Sequence, residues 1–269
     1  LSVMSSRYEV FQNENAWTWM DTILGDNKVE YHTAGTLRGG RVVWILAKMD
    51  GTQEIVKNDP VEKYLLLVNS HDGSVAVGMH TTPIRFSCSN TMTAAIGAGQ
   101  QYVSIKHTSS IHRRIDEAVK ALAVGEAYFD NYISAMRSLA YTRMSDRDMA
   151  EFTKSLLHIQ PNKEGKVNVQ TESAERTINE LFITGKGQDN PLVRGTAWAA
   201  MNAVTEYIDF HSRVQKIGGS GQGSDVAQGR RLHRSWLGKG QTTRNRAYSL
   251  LHGFQSNGSD HFAPQLVRI

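Results

Sequence analysis

Several absences narrow the possibilities before any motif is considered. The 269 residues include one cysteine, Cys88, so no internal disulfide framework can form, and a reducing, cytoplasmic setting is expected. No window holds the 18 or so uninterrupted apolar residues that span a bilayer. The opening residues lack the basic and apolar regions of a secretory signal, so no membrane association is expected. No Gly-rich loop ends in the Gly-Lys-Ser/Thr that cradles nucleotide phosphates: Gly97–Gln100 (GAGQ) and Gly218–Gly223 (GGSGQG) both stop short of it. Nucleotide hydrolysis is therefore not expected, and no cofactor is implied. With only five prolines, long regular elements meet few interruptions.

The residues present sort into two halves. Around 15–24 the apolar positions Trp17, Met20, Ile23 and Leu24 follow a helical period, with Gly25 as the stop. Segments 29–37 and 41–49 read as strands joined by Arg38-Gly39-Gly40, which is hairpin chemistry. VVWILA, at 42–47, is apolar enough for a strand covered on both faces. Lys57-Asn58-Asp59-Pro60 breaks the chain. Strands are expected at 64–68, 74–80, 84–87 and 102–107, with an Asx-type turn at His71-Asp72-Gly73. From Ser110 the period changes to three and four. Helices are expected over 110–141, continuous or broken near Gly125, and over 145–157, 171–183, 196–210 and 245–251, with a short one at 92–96. The fold class is α+β, with antiparallel hairpins packed by helices and a helical C-terminal half. The division expected is a core at 1–211, sheet-rich to 109, followed by a basic Gly-rich segment and a helix at 212–269.

Charge is distributed unevenly. The chain carries +4 overall, yet 211–246 holds eight basic residues against the single Asp225, a net +7, which leaves the rest at −3. Arg38, Arg41, Arg85, Lys106, Arg113 and Arg114 cluster around the hairpins, with Tyr31, Trp44, Tyr64, Phe86 and Tyr102 between them; at least half of these aromatics are expected in the core. Cations that track a backbone, with aromatics that stack bases, suit single-stranded nucleic acid. Arg230, Arg231, Arg234, Lys239, Arg244 and Arg246 would form a second contact.

Catalytic constellations are weaker. His71, Asp72 and His107 are candidate metal ligands, but their spacing follows no familiar signature. Cys88 near His80 or His107 raises nucleophilic catalysis, yet a lone Cys beside an apolar strand reads as a buried small hydrophobe. No catalytic residue is assigned.

The blocks Arg38-Gly39-Gly40-Arg41, Asn69 to Ser74 (NSHDGS), Pro83-Ile84-Arg85 with Cys88 to Thr91 (CSNT), Lys106-His107-Thr108, and Thr196-Ala197-Trp198 with Asn202 to Tyr207 (NAVTEY) resemble those of the bacterial phage/plasmid-like protein family, a domain of unknown function. That resemblance implies mobile-element biology without an activity. The element order is also similar, in topology only, to single-strand annealing proteins of the RecT, Red-beta and Rad-fifty-two kind. This implies an oligomer that pairs single-stranded DNA without ATP. A non-enzymatic interaction protein, such as an inhibitor of host defence, and a metal-dependent nucleic-acid enzyme are the alternatives.

Overall fold

The computed structural model describes residues 5–24, 29–85, 90–91, 102–114, 125–159, 167–212 and 239–262. Helix α1 (Asn13–Leu24) precedes strands β1 (Val29–Leu37), β2 (Val42–Glu54), β3 (Pro60–Ser70), β4 (Val77–Arg85), β5 (Asn90–Thr91) and β6 (Tyr102–Ile105). Helices α2 (Gly125–Tyr141), α3 (Asp146–Leu157), α4 (Val169–Thr184), α5 (Ala197–Glu206) and α6 (Lys239–Asn257) follow. A π-helical turn, Tyr207–His211, extends α5, and a 3-10 turn, Gly258–Phe262, follows α6. The α+β class expected from periodicity is the one observed.

The strands form one antiparallel sheet in the order β1-β2-β3-β4-β5, with β6 also on β4. Three consecutive residues of positive φ, Arg38, Gly39 and Gly40, close the first hairpin. Glycine meets that demand without strain, as the Gly-Gly pair suggested. Central position explains the apolar run in β2. Ile45 and Ala47 join Leu65, Leu67, Val77, Met79 and Ile105 under α1, beside Phe11, Trp19 and Met20. The alternate residues Trp44 and Leu46 pack with Tyr64, Leu66 and Val68 on the other face.

Two strands expected on either side of Pro83 are a single strand, β4. Proline is tolerated there because β4 changes neighbours on one side. β6 pairs with Val77 to His80 and β5 with Ile84 and Arg85, so no ladder donor is required at Pro83 on that edge.

The helices share a third core. Met136, Phe152, Ile178, Trp198, Leu251 and Phe262 meet there, together with Ile55, Val56 and Val61 from the far end of the hairpins. The C-terminal helix, expected as an appendage at 245–251, is longer and contributes Ala247, Leu251 and Phe254 to this core. Helix α3 starts at a capping box in which Ser145 and Asp148 satisfy each other's backbone N–H. It stops at His158, which has φ 50, ahead of the Pro161 expected to end it. The expected helix at 92–96, the segment at 115–124, Cys88 and the Gly-rich 218–223 lie outside the described residues. Among those described, no helix is long and apolar enough to cross a membrane.

Packing is close where α4 ends. Gly185 donates its N–H to the Leu181 carbonyl at 2.9 Å, and a Cβ there would lie 2.5 Å from that oxygen and 2.9 Å from Glu206 Oε2. Neither neighbour is free to retreat, because Glu206 is buried and accepts the Lys186 N–H at 3.0 Å. Gly185→Ala is expected to destabilise the fold by about 1–3 kcal/mol, read as a lower urea midpoint at unchanged slope.

Candidate nucleic-acid interface

The sheet ends in a rim assembled from four separate chain segments. Pairing of Val42 with Ser70 and of Val77 with Ile105 puts the 38–41 turn, the 71–76 loop and the residues after β6 at one end. The N-terminal segment is fastened across that end. Tyr8 donates its hydroxyl to the Ser70 carbonyl at 2.8 Å, and the Glu9 N–H donates to the His107 carbonyl at 3.2 Å. Asn69 Nδ2 donates to the Phe11 carbonyl at 2.9 Å. The helical turn 111–114 sits beside this segment, with the His112 ring 5.9 Å from that of Phe11.

Most polar groups of the 69–74 block are consumed by this architecture. His71 Nε2 lies 2.8 Å from Asn13 Oδ1. Ser70 Oγ donates to the Val75 carbonyl at 2.6 Å and accepts the Val75 N–H at 3.1 Å. Asp72 accepts the Ser74 N–H at 3.0 Å, the expected Asx turn, and Arg38 Nη1 stands 3.4 Å from its carboxylate. Burial pushes the Asp72 pKa up, but hydrogen bonds from Ser74 and the charges of Arg38 and Arg41 outweigh it and hold the carboxyl below its ordinary value.

His107 is buried, stacked on Tyr8 with ring centroids 4.7 Å apart, and its Nδ1 lies 3.2 Å from the Glu9 carbonyl. His71, Asp72 and His107 are thus engaged separately, and no metal-holding group of three His, Cys, Asp or Glu residues occurs among the described residues.

The expected phosphate contacts divide. Arg38, Arg41, Lys106, Arg113 and Arg114 are exposed on or beside the rim. Arg7, which nothing local in the sequence marks, joins them on the N-terminal segment. Glu9 and Asp72 are the acidic residues of these segments.

Arg85 is a correction. It is fully buried, with Nε 2.6 Å from Asp59 Oδ1 and its outer nitrogens donating to the Lys186 carbonyl at 2.9 Å and the Gly187 carbonyl at 3.3 Å. Asp59 Oδ2 also accepts the Trp198 indole N–H at 2.7 Å. Every group in this cluster has a partner, as a buried charge requires. Arg244 is corrected in the same way, being buried against Asp209.

Arg246 donates to the Ser155 carbonyl at 2.8 Å, near the end of α3, and Lys239 is exposed in the first turn of α6. Both belong to the helical layer. Arg230, Arg231 and Arg234 lie outside the described residues.

Aromatics do not accompany the rim cations as expected. Trp44 and Tyr64 are buried, and Tyr31 stands near the opposite end of β1, bonded to Asp21 and edge-on to Trp17. Phe86 and the Tyr102 side chain are not among the described groups.

Residues 1–248 match a family described as a domain of unknown function, DUF932. The chain belongs to the DUF932 family. No curated protein and no solved structure matches it. Several blocks of this DUF932 chain that are distant in sequence meet in the fold. Pro83-Ile84-Arg85 and Thr196-Ala197-Trp198 converge on Asp59, while NSHDGS and Lys106-His107-Thr108 build the rim.

Proposed function

We propose that this DUF932 protein is a DNA-binding protein of a phage or plasmid element that holds single-stranded DNA by its backbone at the sheet rim and anneals complementary strands without ATP. One observation carries the reading: six exposed cations, Arg7, Arg38, Arg41, Lys106, Arg113 and Arg114, come from separate segments to one end of the sheet, where Glu9 and Asp72 are the acidic residues of those segments among the described residues. Phosphates repeat along a strand, and a fixed row of cations releases their counterions on binding. A rim of backbone contacts carries no base readout, which suits a partner handled irrespective of sequence. Annealing also calls for two strands to be presented side by side, and homo-oligomers supply that arrangement.

The test is a mobility-shift titration of single- and double-stranded oligonucleotides at several salt concentrations, with size determination of the free protein. Six neutralised phosphates give a log–log salt slope of roughly −4 on single strands. Complementary strands should pair in the presence of chelator and without ATP. Affinity indifferent to salt would end the proposal.

A further inference from the structure

Strand β1 is an open edge of the sheet. It pairs with β2, and among the described residues no strand lies on its other side. Glu30, Tyr31, His32, Thr33, Ala34 and Thr36 are all exposed, so the outward row of N–H and C=O groups faces solvent along most of the strand. Such an edge is a template for a further strand, and folded proteins ordinarily blunt it by shortness, lysine, proline, a bulge or a cover. β1 has nine residues with no lysine, arginine or proline among them. Its one interruption is the bulge at His32, between Tyr31 and Thr33.

Two further features indicate what the edge takes. Tyr31 and Trp17 stand edge-on with ring centroids 5.5 Å apart, and they are 43% and 36% exposed. Tyr31 lies opposite Ala47, so this aromatic pair is left in water on the α1 side of the edge. Charge is opposite at the two ends of the strand, with exposed Glu30 near its start and exposed Arg38 immediately after it. An antiparallel partner lays its own end against that start. The segment that complements this edge therefore carries an acid early and a base late, as β1 itself does.

We infer that β1 pairs antiparallel with β1 of a second copy about a twofold axis, joining two sheets into one. The contact is isologous, so each favourable pair occurs twice. Residues set opposite each other must share a sheet face. Thr33, Gly35 and Leu37 pair with Leu46, Trp44 and Val42 on the face away from α1, whereas Tyr31 and Ala34 pair with Ala47 and Ile45 beneath it. An axis through Ala34 respects those faces. Thr33 then meets Gly35, Tyr31 meets Thr36, and His32 is the bulge in both strands. Glu30 meets Leu37 and so lies beside the second copy's Arg38. Aromatic and β-branched residues such as Tyr31 and Thr36 are a favourable cross-strand pair. The inference does not rest on the nucleic-acid reading, because the rims sit at the Leu37 end of each β1 and fall at opposite ends of the joined sheet.

Sedimentation velocity over a range of concentrations should show a dimer for the parent chain. Ala34→Lys sets two ammonium groups against each other on the axis and should raise the dissociation constant by roughly tenfold or more. The neutral, β-branched Ala34→Val should keep the dimer. Ala34 is exposed in the single copy, so neither change touches its core. In a Cys88→Ser background, a short bis-maleimide should join Ala34→Cys to its own counterpart, since residues directly opposite lie about 5 Å apart at Cβ. Tyr141→Cys, 80% exposed on the helical layer, should stay unlinked. A parent that is monomeric at every concentration, or a dimer that Ala34→Lys leaves intact, overturns the inference. Monomeric Ala34→Lys that still binds oligonucleotides upholds both the pairing and the rim reading. A dimer that Ala34→Lys dissociates but that binds no strand upholds the pairing and overturns the rim reading.

Discussion

Arg85→Met is expected to lower the stability of the fold by about 3–5 kcal/mol, because it leaves the buried Asp59 carboxylate without its charge partner. Asp59→Asn should destabilise comparably for the reciprocal reason, stranding a guanidinium that is 0% exposed. Arg85→Lys should rescue little. A lysine carries the charge but cannot reproduce the planar fork that reaches Asp59 and the carbonyls of Lys186 and Gly187 together. The cluster joins β4, the turn before β3, the loop after α4 and helix α5, so its loss loosens the sheet from the helical layer. Urea denaturation of the single variants and the double variant measures it. The double should fall well short of additivity, since removing both charges leaves neither stranded. Stability of Arg85→Met within about 0.5 kcal/mol of the parent, with strand binding lost, would instead return Arg85 to a surface role.

The contrast between Arg85 and Arg41 explains how far the sequence could be read. Hairpins were legible because their signals are local: Gly39-Gly40 and Asp72-Gly73 sit where the chain must turn, and the unbroken apolar run at 42–47 marks a strand covered on both faces. Helix starts at Ser145 and Thr196 were legible for the same reason, each being a capping residue ahead of an apolar period. Burial of a charge has no local signature. Arg85 and Arg41 look alike in a charge map, and only bonds spanning 26 and about a hundred residues, to Asp59 and to the 186–187 carbonyls, separate them. Asp59 itself read as part of a chain break before Pro60, which it is, and nothing in its neighbourhood announced Trp198. Arg7 and Tyr8 were missed on the same grounds, since their place at the rim depends on pairing between Glu9 and His107, 98 positions away.

Removing Arg41, Lys106, Arg113 and Arg114 together by alanine substitution should weaken single-strand binding by two to three orders of magnitude at low salt and flatten the salt slope by about 3, close to 0.7 for each phosphate no longer neutralised. Arg38 is left in place because its pairing with Asp72 contributes to the loop. Overall charge alone would also reduce affinity, so the decisive comparison is a variant that loses the same charge elsewhere. Arg147, Lys154, Arg176 and Lys239 are exposed on the helical layer, and their fourfold alanine variant matches the net charge of the first. A local rim requires the helical variant to retain most of the parental slope, because charges beyond a Debye length of about 10 Å at 0.1 M salt contribute little. Unfolding midpoints are measured for both variants, so that a loss of binding counts only where the fold is kept; all eight side chains are exposed, and Arg147 pairs with Glu151 at the surface. Equal losses in the two would mean that the strand reads the protein's total charge, and the rim would then have no special claim on it.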